Sequence, residues 1–186
     1  MSHAEPQTEV TYLRSLKTLL QIPKNDKALF QAIVNAPFHD IVQATRYDLG
    51  IVVLLLVNKK AGTIDRIALS KTPQAEGAVK MSEKPFHTIK IPVGHAGNII
   101  AETIAANKPR QTDDWQYLFA PAMSVQAAHF NQAGAGIECS YVYPLTGARS
   151  GGALIFSYYQ PVDNIHEPHK HFMQHYCDLV VQALRG

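Results

Sequence analysis

Only two cysteines, Cys139 and Cys177, occur among the 186 residues. They form no CxxC pair and have no Cys or His at zinc-finger spacing, which excludes a disulfide scaffold and a structural zinc site and favours a reducing compartment. Long apolar runs are also missing. The longest, Ile51 to Val57, covers seven residues, where a bilayer helix needs about 20. Met1 to Val10 is polar and acidic where a secretory leader would be basic and then apolar, so a cytoplasmic protein with no membrane contact is expected. No charge of one sign prevails. Seventeen Lys and Arg stand against fifteen Asp and Glu, net +2, which makes nucleic acid a poor partner. There is no repeat, no low-complexity segment and no GxSxG, HExxH or phosphate-loop motif, so no catalytic residue is assigned.

What is present suits one folded domain. Apolar residues make up 46% and charged residues 17%, and a chain of this length hides about 70% of its unfolded surface. Val10, Leu13 and Leu20 give helical spacing before Pro23, so a helix over Glu9 to Gln21 is expected, its stripe free for a partner helix. Residues 1–23 are read as an N-terminal helical extension and 24–186 as the main domain. Asn25 and Asp26 can cap a second helix through Leu29 and Ile33, and Ile41, Val42 and Thr45 continue the pattern past Pro37. Gly50 to Val57 and Thr63 to Leu69 form a hairpin about the turn at Asn58 to Gly62, its first strand buried on both faces and central. Lys71 to His87 reads as a long loop, and Thr88 to Ile91 as a short strand ended by Pro92. Gly94 opens a helix that closes at Asn107, and Trp115 to Asn131 is helical with a break at Pro121. Ile137 to Tyr143 alternates as a strand, Gly152 to Tyr159 returns, and a long helix follows from near His166. An α+β domain results, an antiparallel sheet between helices.

Ile89 to Thr103, with its strand end at Pro92 and its two glycines Gly94 and Gly97, is similar to a stretch of the GAF domain family, small-molecule sensor modules of signalling proteins. Cys139 to Leu145, ending in Pro-Leu, and the return strand Gly151 to Phe156 resemble further stretches of that family. The resemblance runs from Lys24 to Arg185. It implies the GAF-like, PAS-related fold: an antiparallel sheet with terminal helices on one face, and a pocket on the other roofed by Gly94 to Asn107 and Asp113 to Asn131. Its departures are informative too. Trp115 to Asn131 holds no cysteine for a bilin, no Asn-Lys-Phe-Asp-Glu signature of cyclic-nucleotide binders occurs, and the resolving cysteines of free methionine sulfoxide reductases are lacking.

The candidate ligand-binding residues are His95, Asp113, Asp114, Trp115, Tyr117, Glu138, Ser140 and Tyr141. His95 follows Gly94 at the expected helix start, where it could face an anion or simply cap. Asp113, Asp114 and Trp115 could supply a carboxylate and a stacking surface, or a helix cap and a core tryptophan. Glu138, Ser140 and Tyr141 lie on a strand that contributes to the pocket floor in GAF relatives. Glu138 could instead face solvent or pair with Arg149, and alternation alone leaves the inward face open. His171, His175 and Asp178 share a helical stripe that reads as an exposed face rather than a metal site. The basic excess over Lys59 to Lys90, seven Lys or Arg against three Asp or Glu, reads as a solvated sheet edge.

Three functions remain open. The first is a non-catalytic sensory or regulatory domain that binds an unidentified small molecule noncovalently, needs no assigned cofactor or metal, and signals through its terminal helices as a homodimer. The second is a redox enzyme of the methionine sulfoxide reductase type using Cys139. The third is a ligand-free interaction module whose pocket is plugged by Tyr141, Tyr143, Phe119 and Trp115.

Overall fold

A computed structural model describes residues 5–39 and 48–185; the expected continuation through Ile41, Val42 and Thr45 lies outside the described residues. The elements in order are α1 (Glu5–Gln21), α2 (Asp26–Asn35), β1 (Leu49–Asn58), β2 (Thr63–Leu69), α3 (Pro73–Lys80), β3 (Lys90–Pro92), α4 (Ile99–Ala106), β4 (Arg110–Thr112), α5 (Gln116–Phe119), α6 (Val125–Ala135), β5 (Cys139–Pro144), β6 (Gly152–Tyr158) and α7 (Glu167–Arg185). The strands make one sheet in the order β3-β2-β1-β6-β5-β4, antiparallel throughout. β1 is central and buried along most of its length, as its unbroken apolar run requires.

Helices cover both faces of this sheet, and strand alternation deals side chains to two separate cores. On β6, Leu154, Phe156 and Tyr158 join the core beneath α1, α2 and α7, while Ala153 and Ile155 join the one beneath α3 to α6. On β5, Cys139, Tyr141 and Tyr143 take the first face and Val142 the second. β2 changes hands midway. Its pairing with β1 shifts between Leu54 and Leu55, so that Ala68 lies opposite Leu54 and Arg66 opposite Leu55, leaving Ile67 as an extra residue. Ile64 therefore faces the second core and Ala68 the first, although an even spacing separates them.

Several sequence expectations are corrected here. The apolar stripe of α1 is not free for a partner: Tyr12, Leu16 and Leu20 are buried in the first core with the terminal helix, and Tyr12 Oη donates to Pro37 O at 2.9 Å. The expected loop over Lys71 to His87 contains α3. Thr72 caps it by accepting from Ala75 N, Pro73 sits in its first turn, and Ala75 and Ala78 are buried. Its Gly77 is required by a close crossing with α6, since a Cβ there would stand 2.1 Å from Gly134 O. The helix expected from Gly94 begins only at Ile99. Gly94 and Gly97 have φ of +75° and +86°, a left-handed backbone that cannot continue a helix. The break at Pro121 is present as expected, with α5 on one side and α6 on the other. β4, which pairs Arg110 to Thr112 with β5, was not expected from the sequence.

Candidate functional site

Between the sheet and the α3 to α6 layer lies a partly open cavity of about 60 Å³. Its floor is the even-spaced apolar set Ile51, Val53 and Ile155, and its roof is α3, the segment 82–89 and the residues from Trp115 to Phe119. The segment 94–107, expected to roof it, contributes no lining residue. That follows from the late start of α4, whose first turn is instead tied to α5. Asn98, fully buried, caps α4 by accepting from Ile100 N and Ala101 N, and its amide nitrogen donates to Ala120 O at 2.7 Å.

The cavity's polar groups come from four elements. Arg66 on β2 is 4% exposed and donates to Ile89 O at 3.1 Å and Leu118 O at 3.0 Å, with its guanidinium 4.8 Å above the Phe119 ring. Among the described residues no carboxylate pairs with it. Burial pulls its pKa down to about 9, which still leaves a cation at neutral pH. This overturns the reading of Lys59 to Lys90 as wholly a solvated basic edge. Lys84, at the outer end of the cavity, donates to Ala122 O. Asn131 on α6 is 3% exposed and its Oδ1 has no hydrogen-bond partner. Ser157 on β6 shares a 2.7 Å hydrogen bond with Ser140, which also accepts from Trp115 Nε1 at 3.0 Å.

The sequence-selected residues are divided among several places. Trp115 lines the cavity, and Ser140 supports it through Ser157. Asp113, Asp114 and Glu138 share an outer cleft with His129 and Gln132. Asp114 is occupied structurally, accepting from Gln116 N and from His129 Nε2, each at 2.9 Å. Burial pushes its carboxyl up, but the Gln116 and His129 hydrogen bonds outweigh that and hold it below the usual carboxylate value. Glu138 is exposed. Tyr117 borders a separate shallow groove with Glu102 and Arg110. His95 sits in the turn before α4, its N–H on Pro92 O, and borders neither the cavity nor these clefts. Tyr141 does not reach the pocket floor. It points to the first core, edge-on to Tyr158. Of the four expected plugs, Trp115 and Phe119 stand at the cavity, their rings 5.7 Å apart, and Tyr141 and Tyr143 stand across the sheet.

Sequence reasoning passed over Arg66, Asn98 and Asn131. Asn98 carried a usable signal, an Asn directly before the apolar Ile99-Ile100 pair with Glu102 following. Arg66 carried another, its two-residue spacing from the apolar Ile64.

Both cysteines lie on the face opposite the cavity. Cys139 is fully buried in the first core and donates to Gln160 O at 3.3 Å, and burial, with Asp113 and Glu138 adding to it, pushes its thiol up to about 12. Cys177 is buried on α7 with its thiol also well above the ordinary value, chiefly through burial. On the same helix the Nε2 atoms of His171 and His175 are 2.7 Å apart, and among the described residues no three His, Cys, Asp or Glu side chains gather to hold a metal. No helix among the described residues is long and apolar enough to cross a membrane.

No family sequence model and no curated protein matches the chain. Solved structures do. The GAF domain of a phosphoenolpyruvate-protein phosphotransferase from Acinetobacter is 11% identical, with a TM-score of 0.64, over 100% of this chain and 95% of that one. A putative GAF sensor protein from Burkholderia vietnamiensis is 12% identical, with a TM-score of 0.61, over 98% and 99%. The free methionine-R-sulfoxide reductase from Neisseria meningitidis, solved with its substrate, is 9% identical, with a TM-score of 0.60, over 100% and 93%. With its six-stranded antiparallel sheet between terminal and pocket helices, the chain has the GAF fold.

Proposed function

We propose that this protein is a non-catalytic sensory or regulatory domain of the GAF type, cytoplasmic, which binds a small molecule noncovalently in the cavity above β1 and β6. The observation that carries this reading is the cavity itself, an apolar space lined by a buried cation without a carboxylate partner among the described residues, Arg66, and a buried amide oxygen without a donor, Asn131 Oδ1. Such groups cost free energy in an empty protein and recover it when a ligand completes their bonds. The terminal helices α1 and α7 would carry the output, since they pack on the other face of the same central strands, and a ligand shifts their arrangement by the difference in its affinity for two states. A homodimer through the outward faces of these helices, not through their buried stripes, belongs to the proposal.

Native mass spectrometry of protein purified from a bacterial cytoplasm, repeated after denaturation, tests the reading. A mass of up to a few hundred daltons lost on denaturation is the expected result. An identical polypeptide mass under both conditions, with no compound bound on subsequent screening, overturns it in favour of an interaction module closed by Trp115 and Phe119. For the dimer, sedimentation giving a dissociation constant above about millimolar is the overturning result.

The reductase reading draws on the likeness to the Neisseria enzyme but has no reactive thiol to use. A thiol held near 12, under the terminal helices and away from the cavity, is almost wholly protonated at neutral pH. Replacing Cys139 by Ser is expected to remove no methionine sulfoxide reduction.

A further inference from the structure

The ionic inventory of the cavity is one-sided. Among the described residues Arg66 and Lys84 line it and no Asp or Glu does; the hydrogen bonds of both cations go to backbone carbonyls, and the Arg66 guanidinium also lies over the Phe119 ring. A buried cation without a counter-ion is the arrangement that burial normally removes by pairing. Ile89 O and Leu118 O orient the guanidinium but carry only dipoles. The charge that would complete it is therefore an anion from outside the chain, and the planar donor fork of Arg fits a carboxylate.

Two further observations narrow the ligand. Asn131 Oδ1 is a buried acceptor without a donor, so the ligand should bring one. An ammonium group is unsuitable, because it would add a third positive charge to a cavity that already holds two; a hydroxyl brings the donor without the charge. Size sets the other limit. A space of about 60 Å³ suits a short molecule.

We infer that the cavity binds a short hydroxycarboxylate of the size of glycolate or lactate, its carboxylate against Arg66 and its hydroxyl on Asn131. This rests on the cavity being a ligand site at all. Ser157, whose hydroxyl is free to donate whenever Ser140 donates to it, stands as a second partner for the carboxylate. Ile51, Val53 and Ile155 take the carbon skeleton. Lys84, at the cavity's outer end, draws the anion in.

The only tryptophan of the chain, Trp115, lines the cavity and reports its occupancy. Its emission is titrated at constant ionic strength with lactate, with neutral lactamide, with propionate, which lacks the hydroxyl, and with the zwitterion alanine. The expected result is a saturable change with lactate, with propionate and lactamide each at least about tenfold weaker, in keeping with the penalty for leaving a buried polar group unmet. Arg66→Met should weaken lactate by about thirtyfold or more, and Asn131→Leu should bring lactate down to the affinity of propionate. Should Arg66→Met fail to fold, Lys84→Met at the exposed end is expected to fold normally and to weaken lactate severalfold while leaving lactamide unchanged. Equal binding of lactate and lactamide, or tighter binding of alanine, overturns the hydroxycarboxylate assignment while the cavity remains a ligand site. Silence toward all four compounds from a folded protein overturns the assignment, and if screening with larger compounds is silent too, the sensor reading falls with it.

Discussion

The two faces of the central sheet are built from the same strands yet are opposites. Beneath α1, α2 and α7 the space is filled with aromatic rings in edge-on and stacked contact. Phe156 meets Tyr143, Phe172 and Tyr176, and Phe172 stacks on Tyr176 at 5.7 Å with its plane inclined by 8°. Two tyrosine tips there reach backbone carbonyls, Tyr176 donating to Ile33 O and Tyr12 to Pro37 O. Under α3 to α6 the residues are smaller, a cavity remains, and Arg66 and Asn131 are buried incompletely paired. The difference teaches that stability and binding have been placed on separate sides of one sheet. Rigid aromatic packing gives the first face its share of the folding free energy, and the second face keeps polar groups that a maximally stable core would have replaced.

The sharpest way to break this division is Phe156→Ala. It removes the ring at the centre of the first core and is expected to cost about 3–5 kcal/mol, read as a lowered urea midpoint. Below the transition the Trp115 emission should stay unchanged, because the cavity lies across the sheet; a Trp115 change in the folded protein would show that the faces are not independent. Gly77→Ala tests the second face. The added methyl meets Gly134 O, and overpacking costs about 1–3 kcal/mol, offset in part by about 1 kcal/mol of helix propensity, so a net loss of about 1 kcal/mol is expected in the same unfolding measurement. Here Trp115 emission should move, since Ala78 and Val79 of that helix form the cavity wall. The smallest effect is electrostatic. The Asp114 carboxyl is held below its ordinary value of 3.8, so its share of stability is present above that pH and is lost as the pH falls through the lower folded-state value. Asp114→Asn should make the acid side of the stability profile shallower in urea titrations at successive pH values, and leave the alkaline side unaltered.

The architecture was readable where pattern and punctuation agree. The alternation of Cys139 to Tyr143, the apolar run of β1 and the Gly-bounded return of β6 all describe strands, and the Asn25 cap and Pro23 bracket the first two helices. What alternation lacks is a sign. With helices on both faces, β5 and β6 have no polar side to mark as outward, so Tyr141 was placed on the pocket floor when it belongs to the other core. α3 was hidden for a different reason: Pro73 and Gly77 look like breakers, but one suits a first turn and the other a helix crossing, and only the partner Gly134 reveals that. Arg66 was hidden by the ordinary preference of charged residues for solvent. The candidate site was thus legible at Trp115 and Ser140 and illegible at the cation that gives the cavity its character.

The placement of the cysteines gives the molecule a clock. Cys139 and Cys177 both lie in the aromatic core, and no cysteine stands on the cavity side. A thiol reagent can reach them only when the terminal-helix face opens, so the rate of their modification measures that opening in the native chain with no label added. Where that opening is local rather than global unfolding, a compound that enters on the far side and slows this reaction couples the two faces of the sheet.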